Sequence, residues 1–313
     1  MADPFEAHYA RVVAAFSDGQ VVPLLGAGVN LCDRPVDADW EERKLLPSGG
    51  ELAKHLAGVF WYPEGETLDL LRVSQWAVAR EGPGPLYDEL RKLFAGEYAP
   101  TRVHRFLASL PGVLRERGTP QHQVVVTTNY DDALERAFVE AGEAYDVVWY
   151  IADGEHRGTF WHRPPDGEPR LIERPKLYDG LALEERTAIV KIHGAVDRAQ
   201  SDRDSYVITE DHYIDYLTKT EVGQLLPAEL LVSLTRSRFL FLGYSMQDWN
   251  LRVILHRIWG QQPLAYKSWA IQKDPSEIEQ ELWRARGVDV LDIPLEEYVT
   301  GLESRLQTAT AAS

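Results

Sequence analysis

VVPLLGAGVN, residues 21–30, runs from apolar residues into Gly-Ala-Gly and then turns polar. A short apolar run bounded by glycine reads as a buried strand closing in a tight turn. Pro23 has no N–H to donate, so it belongs near the strand's start or on an unpaired side. Gly26 and Gly28 allow positive φ and let a phosphate approach the backbone. The N-terminus of a following helix adds partial positive charge. A dinucleotide fingerprint places a third glycine at 31, where Leu31 stands, so this is not GxGxxG. Taken alone, the stretch reads equally well as a tight turn with no ligand.

The same logic recurs along the chain. HQVVVTTNYDDALERAF (122–138), TAIVKIHGAVD (187–197) and RFLFLGYSMQDWNLRVILHRIW (238–259) each pass from an apolar strand to a polar turn, the first and last then entering a helix. KSWAIQ and GVDVLDI read as short strands, each followed by a helical stretch. Residues 5–17 are amphipathic, with Phe5, Tyr9, Val12, Val13 and Phe16 at helical spacing. Thr209 reads as an N-cap for the helix that follows it. Residues 37–118 are mostly helical, and 145–187 are rich in Pro, Gly and charge. Alternating strands and helices imply a doubly wound, mostly parallel, Rossmann-like α/β sheet. The expectation is one domain over 1–313, with a helical insertion at 37–118 and a small irregular one at 145–187.

In such sheets ligands bind where the carboxyl ends of the strands open into loops. That singles out four turns: Gly26-Ala27-Gly28-Val29-Asn30, Thr127 to Asp131, His193 to Asp197, and Gly243 to Asp248. Asn129 can hold ribose hydroxyls or a water, and Asp131 a sugar hydroxyl; both equally suit local capping. Asp132 reads as favoured by the helix dipole. His193 stands at a strand end beside a glycine, a context the other eight histidines lack. Asp197 reads as an orienting group or a plain turn residue. Gly243 and Ser245 suit a second part of a nucleotide, and Asp248 suits a helix cap.

Composition bounds the reading. The chain has 313 residues, 44% of them apolar, and a formal charge of −16. The acidic balance argues against a broad nucleic-acid surface. No signal peptide or membrane span is visible, which leads to the expectation of a cytoplasmic protein. Cys32 is the single cysteine, which excludes a four-cysteine zinc ribbon. Nine tryptophans imply broad apolar contact surfaces, in the core or between subunits.

The motifs LLGAGVN, VVVTTNYDDALE, IVKIHGAVD, SYVITEDHYIDYL and RFLFLGYSMQDWNLR, in that order over residues 24–252, resemble the sirtuin-like NAD-binding family, in its zinc-free bacterial branch. The resemblance implies NAD as substrate, no zinc, and cleavage of the nicotinamide–ribose bond. It assigns catalysis to Asn129, His193 and Asp131, and nucleotide contacts to Gly26, Ala27, Gly28, Asn30, Thr128, Gly243 and Ser245. It also implies an NAD-depleting effector of anti-phage defence, controlled by homo-oligomerisation or by a partner such as a hexameric ATPase or a short Argonaute protein. The chain departs from deacetylating sirtuins in having LCDRPVDADW where they carry a Pro-Asp-Phe-Arg segment, and Thr128 where they carry Gln. An NAD sensor and an NAD-dependent deacylase or ADP-ribosyltransferase are the alternatives.

Overall fold

Val21–Leu25 forms strand β1, with all five residues buried. The computed structural model describes residues 4–35, 38–41, 44–119, 121–218, 225–246 and 266–308. The later strands are β2 (Val124–Thr127), β3 (Tyr145–Tyr150), β4 (Phe160–Arg163), β5 (Arg170–Leu171), β6 (Thr187–Lys191), β7 (Arg238–Leu242), β8 (Ser268–Gln272) and β9 (Val288–Asp292). They make one sheet in the order β5-β4-β3-β6-β2-β1-β7-β8-β9. All pairings from β3 across to β9 are parallel. β4 and β5 extend one edge in antiparallel fashion. The expected doubly wound, mostly parallel α/β fold is therefore present.

Pro23 sits mid-strand, and the register explains why it is tolerated. The Leu25 carbonyl faces β2, accepting from the Thr128 N–H at 3.1 Å. Pro23, two residues earlier, faces the same side. Pairing with β2 begins only at Leu24 opposite Val126, so the missing N–H falls where that ladder has not started.

The described helices are α1 (Glu6–Ser17), α2 (Gly49–Val59), α3 (Leu70–Glu81), α4 (Pro83–Phe94), α5 (Arg102–Glu116), α6 (Ala133–Ala141), α7 (Glu210–Thr218), α8 (Ala228–Arg236), α9 (Glu277–Arg284) and α10 (Leu295–Thr308). Alternation along each strand sorts them into layers. Val22 and Leu24 join Phe239, Phe241, Leu230 of α8 and Trp283 of α9 on one face. Val21 and Leu25 join Leu240, Leu242, Phe16 of α1, Leu107 of α5, Phe138 of α6 and Leu302 of α10 on the other. Within residues 37–118, α5 thus packs on the sheet. Helices α2, α3 and α4 share a separate cluster through Leu56, Val73, Leu90 and Phe94, closed by Tyr206 and Ile208. They form a cap over one stretch of the sheet edge. No helix among the described residues is long and apolar enough to cross a membrane.

Candidate functional site

Strands β6, β2, β1 and β7 are neighbours, so the four turns that follow them stand side by side. The chain leaves β1 towards β2 on one side, and β7 opens the other half of the sheet. This is the topological switch point at which such sheets bind ligands.

The first turn differs from expectation in two ways. Ala27–Leu31 is a single 3₁₀ turn, not the start of an α-helix. It stops at Cys32, which is extended at φ −61°, ψ 134°; Asp33 then takes φ 67°, and its carboxylate accepts from the Arg102 N–H at the start of α5, 2.8 Å away. The second difference concerns the amides expected to cradle a pyrophosphate. Gly26 N–H already donates to the Leu242 carbonyl at 3.0 Å, and Gly28 N–H to the Gly243 carbonyl at 2.9 Å. A Cβ on Gly28 would lie 2.6 Å from that same oxygen. A Cβ on Gly243, where φ is +71°, would lie 2.3 Å from the Val29 nitrogen. These glycines let the first and fourth turns meet backbone to backbone.

The second turn is bound to the first. The Asn129 N–H donates to Thr127 Oγ1 at 3.0 Å, and its Nδ2 to the Gly26 carbonyl at 3.3 Å. Thr128 Oγ1 and the Tyr244 hydroxyl are 3.0 Å apart. Asp131 is buried. Its Oδ1 accepts from the Ala133 N–H at 3.0 Å, and its Oδ2 accepts from Asn30 Nδ2 at 2.9 Å. Asp131 thus both caps α6 and crosslinks two turns. Asp132 occupies the N-cap of α6, and its Oδ1 also accepts from the Arg198 guanidinium at 2.8 Å.

In the third turn, His193 is 5% exposed. Its ring meets Tyr213 of α7 edge-on, at 5.5 Å and 85°. Nδ1 lies 3.4 Å from the Tyr213 hydroxyl. Burial lowers the imidazole pKa from 6.5 to about 3, so the ring is neutral at ordinary pH. Gly194 takes φ +90°, and a Cβ there would lie 2.1 Å from the Ser205 carbonyl oxygen. Asp197 is a turn residue: its Oδ1 accepts from the Ala199 N–H at 2.9 Å, and it lies outside the cavity wall.

The turns enclose a cavity of about 540 Å³, within the range of small-molecule sites. The candidate site residues line it, except Gly26, which sits behind the wall. The opposite wall comes from the cap. There Ser48, Gly49 and Gly50 begin α2, and Asp69, Leu70 and Leu71 begin α3. Ser48 and Glu51 form a reciprocal capping box. Arg34 grips Glu51 at 2.6 and 2.9 Å, and this pairing brings the Glu51 pKa down to about 2. Thr209 caps α7 as expected, accepting from the His212 N–H at 3.1 Å. Asp248 and the helix expected after it lie outside the described residues. Among the described residues no cluster of His, Cys, Asp or Glu is arranged to hold a metal ion.

Sequence reasoning missed Tyr213, Tyr244 and the two cap helix ends. It also missed a buried Lys191–Glu135 pair beneath the second turn, 2.8 Å apart. Tyr213 had one available signal, its position four residues after an N-cap. The ion pair had none, because its members are 56 residues apart.

Comparison with known proteins adds two findings. The chain is 29% identical over 196 residues to the NAD(+) hydrolase ThsA of Cytobacillus dafuensis, covering 62% of this chain and 31% of that protein. It thus matches about a third of that relative's length. Residues 123–291 match the SIR2-like domain, a segment that holds β2 to β9 and three of the four turns. More than half of the chain carries that match, and the chain belongs to the SIR2-like domain family.

Proposed function

We propose that this protein cleaves NAD+ at the nicotinamide–ribose bond, releasing nicotinamide and either ADP-ribose or its cyclic form. In the first case water takes the place of nicotinamide on the ribose; in the second an adenine nitrogen of the same molecule does so, with loss of a proton. The observation that carries the reading is that Asn129, Asp131 and His193 share one cavity wall. The family match and the likeness to a protein named as an NAD(+) hydrolase support it.

The chemistry suits these groups. Nicotinamide leaves a cationic pyridinium as a neutral molecule, so no general acid is needed. The sugar carbon gains oxocarbenium character, and the Asp131 carboxylate supplies negative charge close by. Asn129, anchored on Gly26, orients a ribose hydroxyl or the attacking water. His193 is uncharged, so it does not repel the developing cation. It serves as the hydrogen-bond acceptor for the water or a ribose hydroxyl, and takes the proton as the nucleophile adds.

The physiological part of the proposal is an NAD-depleting effector of anti-phage defence, held inactive until self-assembly or a partner switches it on. One observation favours a second reading, an NAD sensor: a histidine held neutral by burial is a weak base. Nicotinamide release by purified protein, at concentrations that allow self-assembly, favours cleavage, and NAD+ binding without release favours the sensor. We expect His193→Ala and Asn129→Ala each to lower the rate by about 10²- to 10³-fold while the fold persists. A folded His193→Ala protein with the parent rate removes the histidine from the mechanism.

A further inference from the structure

Lys191 ends β6, two residues before His193, and is 1% exposed. Lysines are almost never buried this deeply unless paired. Its ammonium lies 2.8 Å from Glu135 Oε1 of α6 and also donates to the Asp131 carbonyl. Glu135 is itself buried. Well-packed apolar side chains commonly replace such a pair with no loss of stability, so stability alone does not account for it.

Its position offers a different account. The Asp131 side chain is tied forward to Asn30 and Ala133. Two backbone bonds join the second and third turns, from Ile192 N–H to the Thr127 carbonyl and from Val196 N–H to the Tyr130 carbonyl, both 3.0 Å. Lys191, on the strand that leads into His193, adds a third tie by gripping the Asp131 carbonyl. Glu135 holds the ammonium at that spot and balances its charge, so that no net positive charge lies beneath a site where a cation develops.

We propose that Lys191 and Glu135 are positioning residues that fix the Asp131 turn against His193. The inference rests on the NAD-cleavage reading for its catalytic consequence, but not for its structural one. The test uses the full chain with K191M and E135L, singly and together, and K191M/E135M as a second apolar filling. Each single variant strands a buried charge and lowers the unfolding temperature. At least one double variant recovers to within about 3 °C of the parent. In that double variant kcat falls at least ~10-fold while KM for NAD+ changes less than ~3-fold. Amide exchange over residues 128–132 speeds up at least ~10-fold, and exchange in β8 and β9 is unchanged. If the parent shows no turnover, kcat cannot be read, and the exchange measurement alone decides the positioning claim. A stable double variant with parental exchange over 128–132 overturns the positioning role, and one with parental kcat overturns its link to catalysis.

Discussion

Two pairs of glycines line the cavity, Gly28 with Gly243 on the sheet side and Gly49 with Gly50 on the cap side. A Cβ on either of the first pair would collide with backbone at 2.6 Å or less. A Cβ on either of the second pair would meet nothing within 4 Å. The sheet side is therefore closely preset: its turns are joined to one another by backbone contacts. The cap shares an apolar cluster with Tyr206 and Ile208, but much of its grip on the rest of the molecule is polar. Gln75 meets Asp211 at 2.9 Å, Arg91 meets Asp204 at 2.7 Å, and Tyr87 donates to Asp153. Such contacts near the surface open more easily than packed backbone. A rigid floor suits chemistry, and a looser cap suits entry and release of a ligand.

The sharpest way to break this contrast is Gly243→Ala. Its positive φ and its 2.3 Å clash with the Val29 nitrogen predict a loss of roughly 4 kcal/mol or more, read as the shift in a urea unfolding midpoint. A loss below about 1 kcal/mol would mean that the two turns are not locked.

Protonation provides the second test. His8, His104 and His193 pack with the sheet side, and burial lowers their pKa values to about 4, 4 and 3 from 6.5. Between those values and 6.5 the unfolded chain binds more protons than the folded one. Stability therefore falls as pH drops from about 6.5 towards 4, by about 1.4 kcal/mol per pH unit for each histidine fully engaged. The cap behaves in the opposite sense. His55 has one ring nitrogen 2.8 Å from Glu41 and the other 2.9 Å from Glu89, an arrangement that asks both to be protonated. Its pKa is raised by these two carboxylates, against the opposing effect of burial. Its contribution is present below pH 6.5 and is lost as pH rises through the raised value. His55→Gln should remove that alkaline loss and leave the acid limb intact. Unfolding midpoints measured from pH 4 to 9 check both limbs.

The smallest effect belongs to the cap glycines. Gly50→Ala should stabilise α2 by about 0.5 kcal/mol, from helix propensity alone. A rise in KM for NAD+ in the same variant would place the ligand against this helix end. A marked loss of stability would contradict the open space seen there.

The floor was legible in the sequence because each of its strands is an apolar run that ends abruptly in glycine or polar residues. Periodicity located β1, β2, β6 and β7, and the parallel topology then put Asn129, His193 and Gly243 at one edge. The purpose of the glycines was less legible. Gly28 has no room for a side chain because of Gly243, more than two hundred residues later in the sequence, and local pattern carries no trace of that contact. Residues 26–30 were legible as a turn, but the helix expected to follow did not form there, because the 3₁₀ turn ends at the extended Cys32. The cap wall was hidden for another reason. Gly49, Leu52 and Leu71 are ordinary residues of amphipathic helices, and only packing turns them towards the cavity. Lys191 and Glu135 likewise look like surface charges until the sheet buries them together.

The central claim is that the floor cleaves NAD+. The most direct test incubates the parent, Asn129→Ala and His193→Ala proteins with NAD+ at several protein concentrations and resolves the products by chromatography. Equimolar nicotinamide and ADP-ribose (or its cyclic form) from the parent, without any acyl-peptide, is the predicted result, with both variants reduced about 10²-fold or more. A specific rate that rises with protein concentration would add activation by assembly. Tight NAD+ binding with no nicotinamide release at any concentration would contradict cleavage by this chain on its own and favour the sensor reading.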